Sequence, residues 1–149
     1  MKINIASEEI IHFIGIGGIG MSGLAQIMDN MKFKVQGSDM YYNKNIERLK
    51  KAGVNIFIGH HRKNIKNATM IVASSAIKNN NKELIVAKNK RIPIFKRGEM
   101  LANIVSLKKN VVISGSHGKT TTTSLVSIIF AEAGLDPTVI NGGVINSIK

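Results

Sequence analysis

Ile10-Ile11-His12-Phe13-Ile14-Gly15-Ile16-Gly17-Gly18-Ile19-Gly20 is the stretch that decides the fold. Its first five residues are a short apolar run of the kind buried in a parallel strand. The glycines that follow match G-x-G-x-x-G. Leu24, Ile27, Met28 and Met31 then recur at helical spacing. A strand expected over 33–37 ends in Ser38-Asp39. Strand, glycine turn, helix, strand and acid, in that order, form the Rossmann fingerprint in its proper context. Glycines there let the backbone approach a diphosphate, and Asp39 can accept hydrogen bonds from a ribose or base. The competing reading is a purely structural turn.

Working outward, strand and helix keep alternating. A helix is expected over 45–52, with Ile46 and Leu49 inward and Gly53 as its stop. Strand 54–58 runs into a polar loop, 59–64. Met70-Ile71-Val72-Ala73 is the next strand and ends in Ser74-Ser75-Ala76. Asn79-Asn80-Asn81 reads as a turn, with Asn81 a candidate N-cap for a helix reaching Lys88. A strand over 92–95 carries Pro93 at its start or on a sheet edge. A helix over 97–108 turns Met100, Leu101, Ile104 and Val105 inward. The connections are long enough for parallel crossovers, so the expectation is α/β: a Rossmann-like parallel-sheet domain over 1–107.

A second glycine loop follows. Val111-Val112-Ile113 reads as a buried strand, Ser114-Gly115-Ser116-His117-Gly118 as a tight loop, and Lys119-Thr120-Thr121-Thr122-Thr123 as a helix start. Such a loop turns its amides inward, and the helix adds its positive end, which together seat phosphate oxygens. Lys119 brings a charge to the outer phosphates, and the Thr120 hydroxyl can ligate a phosphate-bound Mg2+. Two residues separate the glycines where the standard P-loop has four, so this is a shorter variant. The helix is expected to turn Leu125, Ile128 and Ile129 inward and to stop at Gly134, before a strand over 138–141. Residues 108–149 are too few to bury a core alone. They read as the start of a P-loop ATP-binding α/β domain, and the chain as the N-terminal part of a longer protein.

Composition narrows the class. The chain has 149 residues, 44% of them hydrophobic, and no cysteine, which removes disulfides and thiolate metal sites and fits a reducing compartment. No signal peptide is legible, and no apolar run is long enough to span a bilayer. A cytoplasmic location is expected. The net charge is +12, but no arginine-rich or aromatic-interleaved patch accompanies it, and aromatics are 5%. Solvated lysine faces explain it better than nucleic acid does.

The residues around both loops resemble the Mur ligases. Gly115-Ser116-His117-Gly118-Lys119-Thr120-Thr121, Ala133-Gly134-Leu135-Asp136-Pro137-Thr138 and Asn141-Gly142-Gly143 are similar to that family's ATP-binding segment. Residues 14–25, Gly37-Ser38-Asp39, 73–77 and 97–102 are similar to its first domain, in the same order. The resemblance implies a first domain that binds the UDP of UDP-N-acetylmuramate rather than NAD, and a second that binds ATP with Mg2+. It also implies the reaction of peptidoglycan-precursor synthesis that joins L-alanine to the lactyl carboxylate through an acyl phosphate. Carried over, Gly15, Gly17, Gly18 and Gly20 face the diphosphate and Ser38 and Asp39 lie near the uridine. Ser74 and Ser75 sit at a ligand-binding strand end, and His61-Arg62 matches a family His-Arg. Gly115 to Thr121 hold the nucleotide phosphates, with Lys119 catalytic and Thr120 on the metal. Asn81-Lys82-Glu83 departs from the family's Asn-Pro-Glu, losing a helix-start proline. The later acidic metal ligands, the modified lysine and the third domain are absent, so the chain alone is expected not to be active.

Other residues are weighed more blandly. His12 reads as a packed core histidine, Glu99 as a surface carboxylate and His117 as a loop-shaping residue. His60 and His61 divide evenly between solvated loop and function. Two other functions compete: an NAD(P)-dependent oxidoreductase domain, against which the second phosphate loop argues, and an inert nucleotide-binding module.

Overall fold

A computed structural model of the chain describes residues 8–141 and 144–147. Gly142, Gly143, Ile148 and Lys149, with the close of the Asn141-Gly142-Gly143 motif, lie outside the described residues. The chain divides into two compact units, Met1–Lys108 and Lys109–Lys149.

The N-terminal unit is a five-stranded, wholly parallel sheet. Its strands are β1 (Ile10–Ile14), β2 (Lys34–Asp39), β3 (Asn55–Ile58), β4 (Met70–Ala73) and β5 (Ile94–Lys96). The spatial order is β3-β2-β1-β4-β5. β1 is central, and the chain winds away from it in opposite directions, which creates a switch point between β1 and β4. Right-handed crossovers place α1 (Ile19–Asn30) and α2 (Lys44–Lys51) on one face. α4 (Arg97–Ser106) packs on α1, whereas α3 (Lys82–Asn89) packs against a 3-10 turn at Arg62–Ile65 on the other face.

Alternation along the strands sorts the core. Ile14 and Ile71 meet Ile65, Ala68, Leu84 and Ala87 beneath α3. Ile11 and Phe13, fully buried, point to the opposite side. Gly37 sits there because a Cβ would come within 2.5 Å of the Ile16 side chain and 2.8 Å of the Phe13 carbonyl. Asn81 caps α3 by accepting from the amides of Glu83 and Leu84. Glu99 closes a capping box on the amide of Lys96 at 2.7 Å.

Helix ends repeat one device. α1, α2 and α3 each end in paired 6→1 and 5→2 backbone bonds. The left-handed residue is Gly53 after α2, but Lys32 (φ 69°) after α1 and Arg91 (φ 55°) after α3.

The C-terminal unit departs from the expectation. Val111-Val112-Ile113 forms no strand, and Val111 and Val112 are 60% and 77% exposed. A buried parallel strand needs a ladder partner on its flanks. The strands described in this unit, β6 (Thr138–Asn141) and β7 (Val144–Ser147), pair antiparallel with each other. Helix α5 (Lys119–Glu132) forms, and Gly134 (φ 74°) ends it in the same double-bond motif. Leu125, Ile128 and Ile129, expected to face inward, are 58%, 51% and 64% exposed, because a two-stranded sheet in a 41-residue unit is too small to cover them.

Candidate nucleotide site

The carboxyl ends of β1, β2 and β4 gather most of the expected residues of the N-terminal unit. Gly15, at φ 83°, starts the turn; its amide and that of Ile16 donate to the Ser38 carbonyl at 2.8 and 3.0 Å. The Gly17 amide donates to Asp39 Oδ2 at 2.8 Å. Its carbonyl accepts from Asn43 and Asn45 at 3.2 and 2.9 Å. A Cβ on Gly17 would lie 2.7 Å from the Asn43 amide and 2.9 Å from Asp39 Oδ2. Gly18 is the N-cap of α1 and offers no side chain to it. The first bond of the helix runs from the Ser22 amide to the Gly18 carbonyl, so the amides of Ile19, Gly20 and Met21 are left for an outside acceptor.

Two further groups stand at that helix end. Ser74 Cβ lies 3.2 Å from where a Gly15 Cβ would stand, and Arg97 crowds Gly20, its guanidinium 3.0 to 3.2 Å from the equivalent point. Ser75 is exposed beside Ser74. A cation at a helix N-terminus opposes the helix dipole, and the first turn of α1 has no acid to offset it. An anion satisfies both the cation and the three amides. Arg97 was not singled out from the sequence; its contact with Gly20 appears only when α4 folds back onto α1.

Ser38 lies at the end of β2, with its side chain fully buried on the α3 side. Only its carbonyl serves the glycine turn. The hydroxyl donates to Glu83 Oε2 at 2.6 Å. Asp39 stays at the strand end, where it braces Gly17. His61 and Arg62 are exposed at the end of β3, with His61 folded over Gly59.

Glu83 is the residue that sequence reasoning missed. It is a fully buried carboxylate. Oε1 accepts from Asn64 Nδ2 at 2.6 Å; Oε2 accepts from Ser38 and lies 3.2 Å from His60 Nδ1 and 3.5 Å from His12 Nε2. Burial pushes the carboxyl up, but the His12 ring, the Ser38 hydroxyl and the Asn64 amide outweigh it and hold Glu83 below its ordinary value of 4.5. The one available signal was a carboxylate two places after a capping asparagine.

His12 is buried, but in a polar network rather than a purely apolar core. Gln36 Nε2 donates to the Asn64 carbonyl at 3.0 Å, which fixes the amide; the same nitrogen lies 3.2 Å from His12 Nδ1. His12 Nδ1 therefore accepts, and Nε2–H faces Glu83 without an aligned partner. Beside this network opens a cavity of about 330 Å3, with Met40, His60, Asn81 and Lys82 in its wall.

The C-terminal unit carries its own loop. Gly118 (φ 75°) is the N-cap of α5. Lys119 Nζ folds back onto the carbonyls of Gly115 and Ser116 at 2.6 and 3.1 Å. The Thr122 amide makes the first helical bond, to Gly118, which leaves those of Lys119, Thr120 and Thr121 for an acceptor. Ser116 and His117 are exposed beside them.

Comparison with known proteins reads the same way. Residues 10–109 match the model of the Mur ligase family, catalytic domain. The chain belongs to the Mur ligase family. Along all 149 residues it is 69% identical to a UDP-N-acetylmuramate–L-alanine ligase of Pelagibacter ubique, of which it covers 32%. It is 58% identical over 139 residues to a protein of that name from Rickettsia felis, covering 29% of it. Among solved structures, the UDP-N-acetylmuramate–alanine ligase of Thermotoga maritima superposes with a TM-score of 0.79 at 32% identity, over 89% of this chain and 31% of that one. A Mur ligase of Neisseria meningitides, the UDP-N-acetylmuramate:L-alanyl-gamma-D-glutamyl-meso-diaminopimelate ligase, superposes at 0.80 with 28% identity, over 93% and 46%. The chain thus spans about a third of the length of the curated relatives it matches. Among the described residues no helix is long and apolar enough to cross a membrane.

Proposed function

We propose that this chain supplies the nucleotide-handling part of an ATP-dependent ligase that joins L-alanine to UDP-N-acetylmuramate in peptidoglycan-precursor synthesis. One observation carries the reading. The 149 residues that build the glycine turn at the switch point are 69% identical, end to end, to a protein named for that reaction.

In this reading the N-terminal unit binds the UDP-sugar. The amides of Ile19, Gly20 and Met21 and the Arg97 guanidinium hold the diphosphate at the N-terminus of α1. Gly15, Gly17 and Gly18 keep the turn free of side chains. Asp39 meets the ribose while it braces Gly17; Ser74, Ser75, His61 and Arg62 border the ligand.

The C-terminal unit takes ATP. Its loop fits that role, since Lys119 is tied only to loop carbonyls, not to a carboxylate, and can transfer its bonds to phosphate oxygens. Phosphoryl transfer onto a carboxylate brings two anions together, and Lys119 offsets that charge. Mg2+ carried in with the nucleotide would supply further neutralisation, with the Thr120 hydroxyl as its protein ligand.

Calorimetric titration with UDP-N-acetylmuramate, and with NADH in parallel, tests the reading. The UDP-sugar is expected to bind and NADH is not. Asp39→Ala should weaken the sugar nucleotide by about tenfold, the loss of one or two hydrogen bonds to a charged group. Binding of NADH alone would sink the reading.

A further inference from the structure

The loop after β3 carries two of the residues that border the ligand, His61 and Arg62, and a buried carboxylate from another element holds that loop together. Its backbone is tied at both ends. The Gly59 amide donates to the Asp39 carbonyl at 2.7 Å, which joins the start of the loop to the acid end of β2. At the far end the Asn64 amide donates to the His61 carbonyl at 3.0 Å. The Asn64 carbonyl accepts from Gln36 Nε2, also at 3.0 Å. His61 and Arg62 lie between these ties and are exposed.

One side chain closes the loop into a ring. Asn64 Nδ2 has two hydrogens to give. One goes to the Gly59 carbonyl at 2.9 Å, the other to Glu83 Oε1 at 2.6 Å. Glu83 is itself held from α3: it is fully buried in the first turn, where Asn81 Oδ1 accepts from its amide at 2.8 Å. Its second oxygen accepts from Ser38 at 2.6 Å and lies 3.2 Å from His60 Nδ1. The carboxylate therefore meets the loop at His60 and at Asn64, on either side of His61 and Arg62. Hydrogen bonds to a buried anion are short and strong, and they leave little play in the segment that makes them.

Resting on the UDP-sugar reading above, we propose that Glu83 is a positioning residue for sugar-nucleotide binding: through His60 and Asn64 it fixes where His61 and Arg62 stand. It touches no ligand. Its contribution is separable from the packing of α3, because the next residue, Leu84, makes the apolar contacts beneath that helix. Without the carboxylate, the loop over 59–64 loosens while the sheet and the glycine turn remain. Arg62 then keeps its charge and loses its place.

The test is a thermodynamic cycle on the full chain, read by calorimetric titration with UDP-N-acetylmuramate. The tip variant, His61→Ala with Arg62→Ala, should weaken binding by about tenfold or more, the loss of hydrogen bonds to a charged group. Glu83→Met and Asn64→Ala should each weaken it by about fivefold. Added to the tip variant, either should change affinity by less than about twofold, since residues that act as one unit are not additive. Asn64→Ala, which leaves Glu83 and its other partners in place, carries the test if Glu83→Met does not fold. Leu84→Ala, which removes apolar packing from the same turn of α3, should bind within about twofold of the unsubstituted protein. Native-state hydrogen exchange adds a readout without ligand: the amides at positions 59 and 64 should exchange about tenfold faster in Glu83→Met and Asn64→Ala, and those of β1 should not. If the losses multiply, if Leu84→Ala binds as weakly as Glu83→Met, or if exchange in the loop is unchanged, the inference fails and the ligase reading stands. If the unsubstituted protein does not bind the UDP-sugar, the ligase reading fails and the role of Glu83 in binding fails with it, whatever the loop amides show.

Discussion

Two glycine turns in this chain lead into a helix, and their surroundings differ. Gly15 to Gly20 follow a strand flanked by β2 and β4, over a core that buries Phe13, Ile14, Ile16 and Met28 completely. Gly115 to Gly118 follow three apolar residues that lie in no strand among the described residues, and lead into a helix whose Leu125, Ile128 and Ile129 are more than half exposed. The local chemistry is the same: a left-handed glycine, an uncapped helix end, free amides. A glycine turn of this shape can thus be formed by some dozen residues, while the strand that normally holds it requires neighbours from far along the sequence.

The sharpest way to break the comparison is to cut the same side chain in both units. Ile71→Ala in β4 should cost about 3–4 kcal/mol in chemical denaturation, because it opens a cavity in a packed core. Ile129→Ala on α5 should cost under about 0.5 kcal/mol. Equal losses would show that the C-terminal unit is as well packed as the N-terminal one.

Next in size is Glu83→Gln, at about 2–3 kcal/mol at neutral pH, since one of the two buried acceptor oxygens becomes an NH2 donor facing the donors that bonded it and the negative charge is lost. The pH dependence has a definite sign. The folded state holds the Glu83 carboxyl below 4.5, so its contribution is fully present above the ordinary carboxylate range and is lost as pH falls through the folded value. The gap between the unsubstituted protein and Glu83→Gln should therefore close as pH drops below about 4.5. A gap that widens in acid would overturn the assignment of an ionised Glu83.

The smallest effect sharpens the helix ends. Arg91→Gly or Lys32→Gly, at positions held at positive φ, should stabilise the fold by about 0.5–1 kcal/mol in thermal or chemical unfolding. Gly53→Ala, at φ 95° with open space around it, should lose a similar amount.

What could be read from the sequence followed locality. The glycine turn, the Asn81 cap and the Gly134 stop each rest on residues a few places apart, and all form where expected. The strand over 111–113 misled because apolar character reports a wish for burial, not the presence of a partner. The bond that Ser38 Oγ makes to Glu83 was not legible, because its partner lies on a separate element. Glu83 and Arg97 were passed over because their partners are distant. These lie 45 and 77 positions away, at Ser38 and Gly20, and no local pattern announces a buried carboxylate.

The central place of β1 also has a consequence for synthesis. Ile11 can pair with Val35 soon after both leave the ribosome, but its other neighbour, Met70, follows 59 residues later (70 − 11). Until then the apolar side chains of β1 have one open edge, and the nascent chain carries an exposed strand that invites wrong pairing. Translation that pauses between residues 40 and 70 would lengthen that window, whereas the arrival of β4 closes it.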